Sequence, residues 1–186
     1  MNYRIGISID GKNVETLSDI LPKDKELKIL FIAKTPATLS VKVGHYFQGQ
    51  QGTMFWNMLK KSGILKVKPN TYDDENLLDN KFGITDIVKV PRDYGNEPSI
   101  EEYKEGLIKI NEIINKFHSK ILVFVYKGVL DNILKHQFNI KQKSDYGFNP
   151  HLDKLFGSIV FVFPMPGTPC KKENADLYMK ELKKIV

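Results

Sequence analysis

The sequence predicts an α/β fold in which a central, mainly parallel four-stranded sheet lies between two layers of helices. Three apolar segments, at 28–33, 121–125 and 158–163, are continuous rather than alternating, as in parallel strands that are covered on both faces. Segments of helical periodicity separate them and are long enough to connect parallel strands. A chain of 186 residues can bury one core and is short for two, so we expect a single domain over residues 1–186.

The other elements of the first half follow from local signals. Apolar spacing over 14–21 predicts a short helix that ends before a proline. A second helix is predicted to begin at Gly52 or Thr53, and Gly63 stands where a helix C-terminal glycine belongs. A β-branched segment at 84–89 predicts the remaining strand of the sheet.

The second half of the chain carries clearer helix signals. Ser99 and Glu102 have the spacing of a capping box, and helical periodicity continues from there to Phe117. Two more helices are predicted, at 128–137 and from 174 to 185. A predicted helix therefore follows each of the four predicted strands, which is the order expected of a parallel sheet.

Composition sets bounds on the class of protein. The net charge of +6, from 28 Lys and Arg against 22 Asp and Glu, suits a polyanionic partner but is equally typical of lysine-rich proteomes. No segment has the length of a membrane span, and the first residues lack the apolar region of a signal peptide. Cys170 is the one cysteine, so neither a disulfide within the chain nor a Cys-x-x-Cys metal site is expected. We expect an intracellular protein, in the cytoplasm or nucleoid, without a metal or other cofactor.

Two of the predicted strands lead into loops marked by proline. The strand at 28–33 is followed by Lys34, Thr35 and Pro36, and the strand at 158–163 by a turn rich in small residues and then two lysines. Ligands of parallel α/β proteins bind beyond the carboxyl ends of the strands. We therefore expect these loops to form two walls of one site.

A series of short segments carries a resemblance to a known family. In chain order they are T-L-S-D-I-L at 16–21, G-H-Y-F at 44–47, G-T-M-F-W at 52–56, F-G-I-T-D-I-V at 82–88, Y-G-F-N-P at 146–150 and M-P-G-T at 165–168. Together with the Pro36 turn they resemble the uracil-DNA glycosylase superfamily, and its mismatch-specific uracil and thymine branch most of all. The resemblance extends over nearly the whole chain.

The resemblance implies that the chain excises bases from DNA. Such enzymes extrude the target nucleotide from the duplex, because the bond to be cut is inaccessible within the stack. The implied substrate is double-stranded DNA with a deaminated or mismatched base, and the implied state is a monomer without a cofactor. The chemistry needs an aromatic platform, backbone donors to the base, a group that positions water, and a wedge that fills the gap in the stack.

The resemblance assigns the base-binding roles to the first half of the chain. Phe47 matches the stacking aromatic, although a purely structural ring at this position is the alternative. His45 contacts the base pocket or a phosphate in the same interpretation. The backbone donors would lie near Lys34 and Ala37, at the end of the first strand.

The residue expected to position water differs from the one that is usual in the family. Thr35 stands where this branch usually has asparagine, and a hydroxyl offers fewer donors than an amide. Asp86 is the candidate base, because a carboxylate can accept a proton from water; a solvated carboxylate at a strand end is the alternative. Lys34 could act as a nucleophile, but alternation along an extended chain would place it opposite Thr35, which favours a phosphate contact or a solvent-facing position.

The second loop is assigned to DNA binding. Gly167 and Thr168 match the small-residue turn that pinches the DNA backbone, where glycine permits a close approach. Lys171 matches a basic residue that enters the gap in the duplex, and Lys172 adds charge. Solvated lysines before the last helix are the alternative.

Three functions follow from these observations. The first is a DNA glycosylase for uracil, or for thymine opposite guanine. The second is a protein of the same fold that binds damaged DNA or a nucleobase with impaired catalysis, because Thr35 replaces the asparagine. The third is an α/β enzyme that acts on an unrelated nucleotide, which the basic second loop disfavours.

Overall fold

The strands of the computed structural model form two sheets. The described residues are 1–9, 11–23, 26–93, 95–165 and 169–186. An antiparallel hairpin comprises β1 (Arg4–Ile9) and β2 (Lys12–Leu17). The central sheet comprises β3 (Ile29–Ala33), β4 (Phe82–Asp86), β5 (Ile121–Phe124), β6 (Gly147–Phe148) and β7 (Ile159–Val162). Its spatial order is β4-β3-β5-β7-β6, and only β6 is antiparallel to its neighbour.

Six α-helices are found among the described residues. They are α1 (Thr38–Val43), α2 (Gln50–Lys61), α3 (Ile100–Phe117), α4 (Lys127–Gln137), α5 (Asp153–Phe156) and α6 (Lys172–Ile185). Short 3-10 helices occur at Asp73–Asn76, Leu78–Asn80 and Pro150–Leu152. Apolar residues of α1, α2 and α6 pack on one face of the central sheet, and those of α3, α4 and α5 pack on the other.

The predicted three-layer α/β/α architecture is therefore confirmed. The four predicted strands are present and parallel, with boundaries that differ by one to three residues. The sequence analysis missed β6, a fifth strand of two residues at the edge of the sheet. Two residues are too few for alternation or composition to indicate a strand.

The helix predicted at 14–21 is wrong. Residues 12–17 instead form β2, whose Val14 and Thr16 are β-branched residues that favour strands. Gly11, with φ 74°, lies in the connection to β1, as is usual for tight hairpins. Leu17 and Ile20 are both buried. They are three positions apart, as on one face of a helix, although the segment that carries them is extended.

The predicted helix ends are confirmed at two places. The Ser99 side chain accepts from the Glu102 amide, and the Glu102 carboxylate accepts from the Ser99 amide, which completes the capping box of α3. Gly63 follows α2 with φ 68° and donates its amide to the Lys60 carbonyl. These local signals depend on few residues and survive tertiary packing unchanged.

The segment after β4 covers the end of β3. The amides of Ile87 and Val88 donate to the carbonyls of Ala33 and Lys34 at 3.0 and 3.1 Å, and the Arg92 amide donates to the Pro36 carbonyl at 3.0 Å. The Pro36 turn is thereby fixed against its neighbour. This fixed edge, at the carboxyl ends of the parallel strands, is where an α/β protein binds its ligand.

Candidate active site

A cavity of about 370 Å³ lies at the carboxyl ends of β3, β4 and β5. Its walls are the turn at 35–37, the α1–α2 connection with the first turn of α2, and single residues that follow other strands. Four of the predicted site residues line it: Thr35, Ala37, Phe47 and Asp86. The fold therefore brings residues from three separate sequence segments to one cavity.

Lys34 and Thr35 face different surroundings. Thr35 lines the cavity, whereas Lys34 Nζ lies 2.6 Å from Glu97 Oε1 and is not among the lining residues. Ala37 is the N-terminal cap of α1, and no described side chain caps the helix there. The amides of the first turn of a helix carry partial positive charge, so this wall of the cavity suits an electron-rich group.

Phe47 adopts a backbone conformation that is uncommon for a residue other than glycine. Its φ is 55°, and its ring packs against Phe55 and Trp56 with centroid distances of 4.8 and 5.8 Å. Gly52 makes this possible, because a Cβ at position 52 would overlap the Phe47 carbonyl group. The half-buried ring forms part of the cavity wall.

Tyr46 anchors the loop that carries Phe47. Its amide donates to Asp74 Oδ2 at 2.7 Å, and its carbonyl accepts from Trp56 Nε1 at 3.2 Å. Its hydroxyl donates to the Ser18 carbonyl at 3.1 Å. Burial, and then the Asp86 and Asp19 carboxylates, raise the pKa of Tyr46 well above its ordinary value, so the hydroxyl stays protonated.

His45 lies outside the cavity. It is buried, its Nδ1 is 2.8 Å from Asp74 Oδ1, and its ring stacks on Tyr72 at 3.6 Å. Burial raises the pKa of Asp74, an effect opposed by hydrogen bonds from the Tyr46 amide and from His45. These contacts fix the loop that carries Phe47 from outside the cavity. The predicted contact of His45 with a base therefore has no support from this position.

Asp86 is a buried carboxylate in the cavity wall. It continues the face of β4 that carries Phe82 and Ile84, as alternation along a strand requires, and it is only 2% exposed. Burial raises the pKa of Asp86 above its ordinary value; Lys89 opposes the shift and Asp19 adds to it.

Lys89 is the cation that faces Asp86. Its Nζ lies 3.2 Å from Asp86 Oδ2 and 2.5 Å from Asp19 Oδ1, and it donates to the Tyr46 hydroxyl at 3.1 Å. Burial lowers the pKa of Lys89, but the two carboxylates outweigh burial and the pKa is raised overall. The sequence analysis missed Lys89: Asp86 is three residues away in the sequence, but the contacts of Lys89 with Asp19 and Tyr46 join distant parts of the chain.

Tyr126 is a second residue that the sequence analysis missed. It follows β5, caps α4 and lines the cavity. Burial, and then the Asp86 carboxylate, raise the pKa of Tyr126 to about 12, so the cavity faces a protonated phenol. The signal that could have found it is its position, directly after a predicted parallel strand.

The second predicted wall is only partly described. Gly167 and Thr168 lie outside the described residues. Lys171 is exposed and is the N-terminal cap of α6. Lys172 and Cys170 line a different cleft, between α2 and α6, and burial raises the pKa of the Cys170 thiol.

Comparison with known families gives one match of direct relevance to this site. The sequence model of the uracil DNA glycosylase superfamily matches residues 22–173. The chain belongs to this superfamily. The match includes Thr35, Phe47, Asp86 and Lys89 and ends within α6, whereas the hairpin and Asp19 precede it.

Two further findings concern the described part of this superfamily member. None of its helices combines the length and apolarity that crossing a membrane requires. Its described His, Cys, Asp and Glu residues form no group of three or more that could hold a metal ion.

Proposed function

We propose that this protein is a DNA glycosylase that excises uracil, or thymine opposite guanine, by base flipping and hydrolysis of the N-glycosidic bond. The observation that carries the proposal is the meeting of Thr35, Phe47 and Asp86 at one cavity on the ligand-binding edge of the sheet. Superfamily membership supports a DNA substrate. The net charge of +6 suits the phosphate backbone.

The cavity suits a flipped base. In the proposed complex the base stacks on Phe47, and stacking on an aromatic ring contributes about 1–3 kcal/mol per base. The uncapped first turn of α1 begins at Ala37, which lines the cavity, and is proposed to stabilise the negative charge of the departing base. The protonated phenol of Tyr126 offers a hydrogen bond to a polar edge of the base.

Asp86 is proposed to receive the proton of the attacking water. A general base works best when its pKa approaches the working pH, and burial moves the pKa of Asp86 in that direction. The Thr35 hydroxyl lines the same cavity and is proposed to orient the water. The water adds to the sugar carbon, and the base leaves with the electrons of the glycosidic bond.

The position of Lys34 supports hydrolysis rather than attack by an amine. Its Nζ is paired with Glu97, away from the cavity that Thr35 lines. We therefore expect no covalent intermediate between enzyme and sugar. Reduction with borohydride during the reaction should trap no protein–DNA adduct.

The second wall of the site is proposed to bind the DNA backbone. Lys171 is exposed at the carboxyl side of β7, the same edge of the sheet as the cavity. In this proposal the segment 167–172 contacts the duplex, and the monomer suffices for binding. Lys172 contributes charge rather than a contact with the base.

A second candidate function rests on one observation. In the resemblance to the mismatch-specific branch, Thr35 stands where asparagine is usual, so a protein that binds a lesion without cutting it is the alternative. The two functions share the cavity and the DNA-binding surface. They differ only in whether the glycosidic bond breaks.

One experiment separates them. The protein is incubated with duplexes that carry uracil opposite guanine, uracil opposite adenine, or thymine opposite guanine, and abasic sites are then cleaved with alkali. The glycosylase predicts strand breaks at the position of the lesion, above those in an undamaged duplex. Lesion binding without strand breaks would instead support the binding protein.

A further inference from the structure

The end of β2 and the residues that follow it reach the candidate active site although they precede the family match. Lys89 Nζ donates to the Leu17 carbonyl at 3.1 Å and lies 2.5 Å from Asp19 Oδ1. The Thr16 hydroxyl donates to the Lys89 carbonyl at 2.6 Å. Lys89 is thus held at both ends, by its backbone and by its ammonium group.

Asp19 is also fixed by contacts with other side chains. Its Oδ1 accepts from the Thr85 hydroxyl at 2.7 Å, and its Oδ2 lies 3.6 Å from Lys109 Nζ on α3. The side chains of Asp19 and Lys89 are 15% and 12% exposed. Charges in such a position interact strongly, because little water screens them.

The charged and titratable groups around Asp86 come from four elements. Lys89 follows β4, Tyr46 lies between α1 and α2, and Tyr126 follows β5. Asp19 precedes β3, and through it Lys109 of α3 reaches the cluster. Among the described residues, Lys89 is the cation paired directly with Asp86, and it opposes the rise in the pKa of Asp86 that burial causes.

We propose that Lys89 is a positioning residue whose ammonium group keeps Asp86 ionised and oriented toward the cavity. The Leu17 carbonyl, the Tyr46 hydroxyl and Asp19 hold this ammonium group in place, and Asp19 opposes the ionisation of Asp86 through its own charge. The proposal rests on the proposed function, in which Asp86 is the base. It adds a role for a segment outside the matched range, because the anchors Leu17 and Asp19 lie before residue 22.

The arrangement predicts opposite effects for two substitutions. Lys89→Met removes the cation and should raise the titration midpoint of Asp86 by about one unit or more, since an opposite charge at this distance has effects of that size. Asp19→Asn removes a like charge and a competitor for Lys89, so the midpoint should fall. If Lys89 and Asp19 only stabilised the fold, the two substitutions would not shift the titration midpoint of Asp86 in opposite directions.

The direct test is a nuclear magnetic resonance titration of the Asp86 carboxyl carbon in the full chain. Lys109→Met is the matched control, because it removes a lysine that contacts Asp19 but not Asp86, and its midpoint should stay near that of the wild type. Lys89→Arg keeps the charge and should also stay near the wild type. If Lys89→Met does not fold, Asp19→Asn/Lys89→Met removes both charges, and its midpoint should still lie above the wild-type value.

The acid limb of the pH–rate profile is the second readout. In single-turnover excision the limb should move to higher pH in Lys89→Met and to lower pH in Asp19→Asn. An unchanged Asp86 midpoint in Lys89→Met, or in the double variant, would overturn the inference. A wild-type protein that cuts no lesion would instead overturn the proposed function, while the titration would still decide whether Lys89 controls Asp86.

Discussion

Asp86 and Lys89 form a buried ion pair beside the cavity, with 3.2 Å between Oδ2 and Nζ. Asp19 shares the same ammonium group at 2.5 Å, so two carboxylates face one buried cation. Burying an ion pair costs solvation, and the second carboxylate adds to that cost although its Oδ2 also lies 3.6 Å from Lys109 Nζ. Such an arrangement is expected where function, rather than stability, determines the residues.

The first prediction is that Asp86→Asn does not destabilise the protein at neutral pH. A carboxyl group with a raised pKa in the folded state stabilises the fold below its unfolded value of about 3.9, and this contribution is lost as the pH rises through the folded pKa. At neutral pH the free energy of unfolding of Asp86→Asn should exceed that of the wild type. The difference should be roughly 1.4 kcal/mol for each unit by which folding raises the pKa of Asp86.

Urea unfolding at pH 4 and pH 7 measures this effect. The difference in the free energy of unfolding between Asp86→Asn and the wild type should be larger at pH 7 than at pH 4. Asp79→Asn is the control, because the Asp79 side chain is 58% exposed and pairs with Lys68 at the surface, where ion pairs contribute little. An advantage that shrinks toward pH 7 would contradict the assignment of a raised pKa.

The second prediction concerns Gly52. A methyl group at this position would overlap the Phe47 carbonyl group, so Gly52→Ala should displace the ring and destabilise the protein by about 1–3 kcal/mol. Gly128 also lies in the first turn of a helix, but a Cβ there meets no atom within 4 Å. Gly128→Ala should therefore be neutral or slightly stabilising in thermal unfolding, and equal effects of the two substitutions would refute the packing argument.

The third prediction tests the ring of Phe47. Loss of base stacking costs about 1–3 kcal/mol, so Phe47→Ala should lower the rate of excision at subsaturating enzyme by about 5- to 150-fold, and Phe47→Tyr should retain most of it. Phe148→Ala provides the comparison, because it removes a half-buried ring at the far edge of the sheet. If both alanine variants lose activity equally, the ring of Phe47 has no special role.

The fourth prediction tests the DNA-binding surface. Lys171→Ala should reduce the slope of log affinity against log salt concentration by about one, which corresponds to the loss of one phosphate contact. Lys154 is also exposed but lies near Lys120 and Ile159, at the amino ends of β5 and β7. Binding titrations should show an unchanged slope for Lys154→Ala, and an unchanged slope for Lys171→Ala would remove Lys171 from the interface.

The parts of the fold that the sequence predicted depend on local patterns. Continuous apolar segments reveal parallel strands, and the capping box at Ser99 fixes the start of α3 within one residue. The strand ends then indicate where Thr35 and Asp86 lie. Alternation from Phe82 and Ile84 could also have predicted that Asp86 is buried rather than solvated.

The missed parts depend on contacts between distant segments. The segment at 14–21 has apolar residues at both helical and extended spacings, and pairing with β1 decides between them. Asp19 meets Lys89 across 70 positions of the sequence, next to a backbone bridge between Ile20 and Ile84 of β4. No single-sequence pattern encodes the contact between Asp19 and Lys89, although the spacing of Asp86 and Lys89 could have indicated a local ion pair.

The central claim is that Asp86 acts as the base in glycosidic bond hydrolysis. Single-turnover excision of uracil from a uracil–guanine duplex, measured at neutral pH with wild type and Asp86→Asn at saturating enzyme, tests it most directly. General base catalysis contributes about 100- to 10,000-fold, so the variant should be slower by at least about 100-fold while it binds the duplex as tightly as the wild type. Equal rates for the two proteins would contradict the claim.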